Sequence, residues 1–281
     1  MPFEILDTFS LPGDPSKPND DAFAHTHNAA VVLDGATGLG DPLMPGASDA
    51  AWIAHFGARR LMAHIGDGET PKDALRHSLA DAKKSFEALR RRPIKENWET
   101  PLASMMLVCD CPDGFQALSF GDCVALVQRR DAGLETIGDA FKSKVAESNY
   151  AAKLAKEKGL SPASRANRPE FLASLRASRN RANSGRNWAF SPDPRAGDHV
   201  AEQAILAPRG TIVLLASDGF LALASDYGAY TPEAFIAACQ TKGLAVLGEE
   251  LRAIEEQDPL GHRFPRFKKS DDATAVLLKL I

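Results

Sequence analysis

The sequence has few cysteines, and their spacing excludes the usual cysteine-based sites. No Cys-x-x-Cys pair occurs among the four of them, which are Cys109, Cys111, Cys123 and Cys239. Neither a zinc knuckle nor a disulfide framework is therefore indicated. Cys109 and Cys111 alternate along an expected strand, where small buried hydrophobic residues are the simpler interpretation. We expect a reduced, cytoplasmic setting.

The sequence also lacks an apolar run of membrane-spanning length and an excess of positive charge. Its first residues, Met1-Pro2-Phe3-Glu4, have neither the basic nor the apolar region of a signal peptide. The formal net charge is −4, so a generally basic surface for nucleic acid is not indicated. No linker rich in Pro, Gly or Ser divides the 281 residues. We therefore expect a single domain over residues 1–281, with neither a membrane nor a nucleic acid as partner.

One segment differs from the rest in charge. Residues 138–198 contain 12 Lys and Arg against six Asp and Glu, so this segment is +6 while the remainder of the chain is −10. We expect a helix to about Lys158, whereas the part from Arg165 to Arg195 is rich in Arg, Ser and Asn and has few apolar positions. Two interpretations stay open. The segment is either a solvated surface insertion or a basic flap beside an acidic cleft that suits phosphorylated substrates.

Hydrophobic periodicity predicts strands and helices in alternating groups. Helices are expected from about Ser48 to Ile65, after the Thr70-Pro71 pair, after Thr231-Pro232 and around residues 246–254. Strands are expected at residues 3–11, 22–33, 201–206, 211–216 and 273–280, with an antiparallel meander between 102 and 137. This order predicts an α+β protein in which helices cover antiparallel sheets.

Acidic residues stand at the ends of several expected strands. Four clusters share this position: Asn19-Asp20-Asp21, Asp34-Gly35, Asp218-Gly219 and Asp271-Asp272. A single such cluster is weak evidence, because Asp and Gly are common in turns for local reasons. Three of the four border strongly apolar strands, where carboxylates without a compensating charge would be costly. Oxygen ligands without His or Cys favour Mg²⁺ or Mn²⁺ over zinc.

The order of these motifs resembles that of the protein phosphatase 2C family, the metal-dependent serine/threonine phosphatases. Five stretches carry the resemblance in the family's order: Asn-Asp-Asp-Ala-Phe, Val-Leu-Asp-Gly-Ala-Thr-Gly, Phe-Gly-Asp-Cys, Ala-Ser-Asp-Gly-Phe and Asp-Asp-Ala-Thr-Ala-Val-Leu-Leu. They extend over nearly the whole chain. The resemblance implies a four-layer α-β-β-α sandwich with a centre of two Mg²⁺ or Mn²⁺ ions at one end.

The resemblance also implies a role for each acidic residue. Asp34 would bridge both ions and position the nucleophilic water, and the carbonyl of Gly35 would bind one ion. Asp218 and Asp271 would hold the ion on one side. Asp21 would act mainly through metal-bound water with Asp20 beside it, and Asp122 is a candidate for an accessory ion.

Several positions depart from the family pattern. Ser16 stands where the family usually has a phosphate-binding Arg, and the adjacent Lys17 could take that role only as a point charge. Basic residues before Asp271 could compensate, although a solvated loop is the simpler interpretation; they are Arg263, Arg266, Lys268 and Lys269. Ala36 and Ala222 replace two further polar residues that occur in family members.

The resemblance implies hydrolysis of phosphoserine and phosphothreonine monoesters in a phosphorylated protein, with a cognate kinase system as the expected counterpart. Two alternatives stay open. One is a weak or inactive pseudophosphatase that binds a phosphorylated partner. The other is a phosphatase of a small phosphorylated metabolite.

Overall fold

The computed structural model describes residues 1–130, 133–138 and 169–281, and these contain ten strands and six α-helices. The strands are β1 (Phe3–Leu11), β2 (Asp21–His25), β3 (Ala29–Gly35), β4 (Ala103–Cys111), β5 (Gly114–Phe120), β6 (Val124–Gln128), β7 (Leu134–Ile137), β8 (Ala201–Leu206), β9 (Ile212–Ala216) and β10 (Ala273–Leu280). The helices are α1 (Asp49–Gly66), α2 (Pro71–Leu89), α3 (Pro169–Arg179), α4 (Asp218–Ser225), α5 (Pro232–Lys242) and α6 (Leu244–Gln257).

The strands form two five-stranded sheets in which every neighbouring pair is antiparallel. One sheet has the order β1-β10-β9-β6-β7 and the other β2-β3-β4-β5-β8. We call them the β10 sheet and the β3 sheet after an inner strand of each.

The side chains of β3 show how the layers pack. Val31 and Leu33 point into a core shared with α1 and α2, whereas Ala30 and Val32 point into a core shared with the β10 sheet. A strand covered on both faces needs a continuous apolar run instead of an alternating one, which explains the sequence of β3. A third core lies between the β10 sheet and helices α4–α6. The result is the predicted four-layer α-β-β-α sandwich.

The expected helices after residues 48, 70 and 231 begin at side-chain caps. Ser48 accepts a hydrogen bond from the Ala51 amide, and Thr70 and Thr231 cap α2 and α5 in the same way, each followed by proline. None of the helices within the described ranges combines the length and apolar character that a membrane span requires.

One expectation about the chain path is wrong. Residues 102–137 do not form one meander, because β5 belongs to the β3 sheet and β6 to the β10 sheet. The turn at Gly121-Asp122 thus carries the chain from one sheet to the other. After β9 the chain forms α4 from Asp218 onward, a helix that the hydrophobic periodicity did not predict.

The basic segment is described only in part: the helix expected up to Lys158 lies outside the described residues. From Pro169 onward the segment is not solvated throughout. Phe190 is fully buried against α1 and the β3 sheet, and its backbone forms a bridge with Ala103. This anchors the end of the segment on the core.

Candidate metal centre

The β3 sheet brings two acidic residues together at its end. In the antiparallel register of β2 and β3, Asp21 is the partner of Asp34, and Ser104 of β4 follows Asp34 on its other side. Asp21 is only 1% exposed. Since partners in such a register have neighbouring Cβ atoms, the two carboxylates share one small space.

The β10 sheet contributes its acids at the same end. Asp218 opens α4 directly after β9, and Asp271 and Asp272 directly precede β10. Strand β10 contacts both β2 and β3, and β9 contacts β3, so these acids face those of the β3 sheet. Asp122, in the turn between the sheets, lies near the same place and accepts a hydrogen bond of 2.6 Å from the Ser104 hydroxyl.

The acids perturb one another electrostatically. Burial raises the pKa of Asp34 well above its usual range, and the nearby charges of Asp21, Asp218, Asp122 and Asp271 raise it further. Burial likewise raises the pKa of Asp21, with Asp271, Asp272 and Asp218 adding to it, although a hydrogen bond from Ser217 opposes the shift. So many carboxylates in a dry site need a positive partner to remain ionised.

One carboxylate oxygen of Asp21 indicates which kind of positive partner the site needs. Among the described residues, Oδ2 of Asp21 is buried and has no hydrogen-bond partner. A buried carboxylate oxygen without a partner is costly in a folded protein unless an ion binds it. The donor set here is made of carboxylates without His or Cys, which suits Mg²⁺ or Mn²⁺. The residues present therefore fit an oxygen-bound divalent cation.

Asp271 and Asp272 have different surroundings. Both oxygens of Asp272 accept backbone hydrogen bonds, from the Gly13 amide and from the Asp20 amide, each at 2.7 Å. Asp272 thus ties the β1–β2 loop to β10. Asp271 instead directs Oδ1 toward a lysine ammonium, as described below.

The backbone at Gly35, next to Asp34, packs tightly against the backbone of Ala50 and Asp20. A Cβ on Gly35 would lie 2.5 Å from the Ala50 carbonyl oxygen, so only glycine fits there. The Gly35 amide donates to the Asp20 carbonyl at 3.0 Å. The Asp20 carboxylate accepts from the Ser48 hydroxyl, the cap of α1, at 2.5 Å. Burial raises the pKa of Asp20, and the charge of Asp272 adds to this shift.

Of the lysines weighed for phosphate contact, the structure brings Lys268 and not Lys17 to the acids. Lys17 is 68% exposed and pairs with Asp14 at 3.4 Å. The ammonium of Lys268 lies 2.7 Å from Asp271 Oδ1 and 3.0 Å from Thr37 Oγ1. Burial alone would lower the pKa of Lys268, but the charges of Asp271, Asp34 and Asp218 raise it.

The other basic residues before Asp271 are partly solvated. The guanidinium of Arg266 is 13% exposed and pairs with Asp258 at 3.0 Å, whereas Arg263 and Lys269 are exposed and Lys269 pairs with Glu256. Sequence alone could have favoured Lys268 only through its position three residues before Asp271.

Helix α3 of the basic segment borders the same site. Arg179 donates to the Thr37 carbonyl at 2.7 Å, and Arg176 donates to the Leu39 carbonyl at 2.6 Å. The Arg176 guanidinium also lies 4.1 Å from the centre of the Trp98 ring, a cation–π contact. Burial lowers the pKa of Arg179. Two arginines of the segment thus hold the loop that follows Asp34 and Gly35.

Comparison with known proteins gives a match only at the level of structure. No family model matches the chain, and no curated protein matches it by sequence. The serine/threonine phosphatase PstP/Ppp of Mycobacterium tuberculosis is 16% identical, with a TM-score of 0.58 over 100% of this chain and 99% of that chain. The catalytic domain of PstP in complex with two manganese ions is 15% identical, with a TM-score of 0.56 over the same shares.

A third structure extends the match. MsPP from Mycobacterium smegmatis, a PPM Ser-Thr phosphatase in complex with cacodylate, is 19% identical, with a TM-score of 0.56 over 99% of this chain and 100% of that chain. The chain therefore has the fold of the protein phosphatase 2C class of serine/threonine phosphatases, which confirms the fold that the motif order predicts.

Proposed function

We propose that this protein is a metal-dependent phosphatase of the protein phosphatase 2C family that hydrolyses phosphoserine and phosphothreonine monoesters in proteins. The observation that carries the proposal is the buried carboxylate cluster at the shared end of the two sheets, with its unpartnered Asp21 oxygen. In the fold shared with PstP, which binds two manganese ions in a solved complex, such a cluster suits a pair of Mg²⁺ or Mn²⁺ ions.

The proposed ligands are those that the motifs indicate. Asp34 would bridge the two ions, with the Gly35 carbonyl on one of them, and Asp218 and Asp271 would hold the ion on the β10 side. Asp21 and Asp20 would bind through water, and Asp122 is the candidate for an accessory ion. The backbone bonds to both oxygens of Asp272 support Asp271 as the ligand of that pair.

Two ions of this kind supply a bound water of lowered pKa and neutralise charge on the phosphoryl oxygens. The chain's own cations would then bind and orient the phosphate. Lys268 already faces the acids, and we propose that its ammonium turns from Asp271 to a phosphoryl oxygen when substrate is present. Arg176 and Arg179 hold the Thr37–Leu39 loop at the rim of the site, so that the entering phosphate meets a fixed positive edge.

We further propose one domain over residues 1–281, with residues 138–198 as its basic flap. The end of the flap packs on the core through Phe190, and α3 borders the metal centre. The four cysteines carry free thiols, and burial raises the pKa of Cys109 and of Cys239 to about 12, so neither is a reactive nucleophile. Free thiols support a reduced, cytoplasmic location, where a kinase would supply the phosphoprotein.

The test is hydrolysis of a phosphothreonine peptide in EDTA, Mg²⁺ and Mn²⁺, comparing wild type with Asp218→Asn. Asp113→Asn is the matched control, because Asp113 lies in the exposed β4–β5 turn. We expect metal-dependent activity in wild type and in Asp113→Asn, and loss of this activity in Asp218→Asn. Equal metal-dependent activity in Asp218→Asn and wild type would contradict the proposal.

One observation favours the pseudophosphatase alternative. Lys17, the residue weighed as a phosphate contact in that part of the chain, is exposed and pairs with Asp14. Tight phosphopeptide binding without turnover in saturating Mn²⁺ would identify this alternative. Turnover of a small phosphate monoester, with no turnover of phosphopeptides, would instead identify a metabolite phosphatase.

A further inference from the structure

A second group of metal-ligating side chains lies where helices α1 and α2 join. His64 stands in the last turn of α1, Glu69 in the connecting loop and His77 in the second turn of α2. One ligand atom from each residue lies within 4.8 Å of the others. None of the three belongs to the carboxylate centre.

Both histidine side chains place a ring nitrogen next to the Glu69 carboxylate. His64 Nδ1 lies 3.0 Å from Glu69 Oε1, and His77 Nδ1 lies 2.7 Å from Glu69 Oε2. The two imidazole rings are tilted by 51° with centroids 5.5 Å apart, so they are not stacked on each other. The two Nδ1 atoms thus lie on the two oxygens of one carboxylate, with one ligand atom from each residue within 4.8 Å of the others.

The far side of the His64 ring carries a second carboxylate. His64 Nε2 lies 3.0 Å from Asp81 Oδ2, and the guanidinium of Arg60, which pairs with Asp81, lies 3.3 Å from the same nitrogen. When Nε2–H donates to Asp81, Nδ1 of a neutral His64 presents a lone pair toward the Glu69 oxygen. Two acceptors then face each other at 3.0 Å, an arrangement that a cation between them would stabilise.

We propose that His64, Glu69 and His77 form a binding site for a divalent transition metal ion, with Zn²⁺ as the best fit. Two imidazole nitrogens and one carboxylate oxygen are a ligand set that zinc takes, with water in the fourth position. Asp81 orients His64 through Nε2, the role of the carboxylate behind a metal-bound histidine. Oxygen-preferring Mg²⁺ has little affinity for such a set, which separates this site from the carboxylate centre.

The local fold brings the ligands together without strain at the ligands themselves. Gly68 adopts a φ of +87°, a conformation that glycine permits, and this turns the chain so that the Glu69 amide donates to the His64 carbonyl at 3.2 Å. His77 has a 59% exposed side chain, so an ion can reach the site from solvent. A bound ion would link the end of α1 to α2, the two helices that cover the β3 sheet.

The competing explanation is an ion pair in which His64 is a protonated imidazolium between Glu69 and Asp81, without a metal. Titration calorimetry separates the two. Metal-stripped protein is titrated with Zn²⁺ in a large excess of Mg²⁺, so that the carboxylate centre is occupied. His77→Ala removes one ligand at an exposed position, and His27→Ala, at an exposed position outside the cluster, is the matched control.

We expect one zinc per chain in wild type and in His27→Ala, and at least about tenfold weaker binding in His77→Ala. Asp81→Asn should weaken binding by about 10–100-fold while keeping the stoichiometry. Replacement of zinc by Co²⁺ should give visible d–d bands that are lost in His77→Ala. Absence of zinc binding in wild type, or equal affinity in wild type and His77→Ala, would overturn the proposal.

Discussion

Asp21 and Asp34 are direct partners in the β2–β3 register, so two carboxylates from strands only a few residues apart meet at the end of one sheet. Burial raises the pKa of both carboxyl groups, and the charge of Asp21 raises the pKa of Asp34 further. Without a cation, this buried pair of carboxylates therefore lowers the protein's free energy of unfolding.

Asp21→Asn should stabilise the protein in EDTA. The substitution keeps the side-chain shape and removes a buried charge that has one oxygen without a partner, which should raise the free energy of unfolding by about 1–3 kcal/mol. Denaturant unfolding measures this. With Mn²⁺ present the order should reverse, because only wild type gains the full stabilisation of bound ions. A destabilised Asp21→Asn in EDTA would contradict the account of this pair.

Lys268→Met should lower kcat/KM for a phosphopeptide by about 10–100-fold, because a cation beside the reacting phosphate is lost. Steady-state kinetics measures this, and Lys269→Met is the control, since Lys269 pairs with Glu256 away from the acids. Metal binding should persist in Lys268→Met and become tighter, because the ammonium no longer competes for Asp271. Unchanged kinetics in Lys268→Met would exclude Lys268 from phosphate binding.

Arg176→Ala should release α3 from the loop after Asp34. The variant loses a charged hydrogen bond to the Leu39 carbonyl and the contact with Trp98, together about 2 kcal/mol. We expect a raised KM with metal affinity retained. Arg186→Ala, at an exposed position, is the control. Equal KM values for both variants and wild type would show that α3 does not order the rim of the site.

Glu99 should make stability depend on pH in the acid range. Arg92 donates to both of its oxygens, at 2.6 and 3.0 Å, and lowers the pKa of Glu99 to about 2. A carboxyl whose pKa is lowered on folding stabilises the protein above the unfolded value of 4.5, and this contribution is lost as pH falls toward 2. Because Arg92 is 39% exposed, solvent screening reduces the stabilisation from ionised Glu99 to about 1–2 kcal/mol.

The check is unfolding of Glu99→Gln between pH 7 and pH 2. The variant should be less stable than wild type at pH 7, and the difference should shrink below pH 4. Glu87→Gln, at an exposed position on α2, should match wild type throughout. A difference between Glu99→Gln and wild type that grows on acidification would reverse the sign and refute the assignment.

Local signals were sufficient for the parts of the fold that local interactions determine. The Thr70 and Thr231 caps were visible in the sequence because each side chain bonds to a backbone amide three residues away. The partner of β6 was not visible. Gly121-Asp122 suits a hairpin as well as a crossover between sheets, and only long-range pairing of β6 with β9 decides between them.

The candidate site likewise has some residues that local sequence signals predict and others that only long-range contacts position. The acidic residues stood out because three of the four clusters border strongly apolar strands, and motif order gave them a common centre. The position of Lys268 depends on how the loop before β10 folds back on Asp271 and Thr37, and a run of basic residues contains no signal for that. The contact of α3 with the Thr37–Leu39 loop spans more than 130 positions and likewise has no local signature.

The most direct test of the central claim is hydrolysis of a phosphothreonine peptide by wild type and Asp34→Asn, each in EDTA and in Mn²⁺, with Mn²⁺ binding measured on the same samples. The account predicts that wild type binds manganese and turns over substrate only when metal is present. It predicts that folded Asp34→Asn loses at least about 100-fold in rate and binds manganese more weakly. Metal-independent activity in wild type, or full activity in Asp34→Asn, would contradict it.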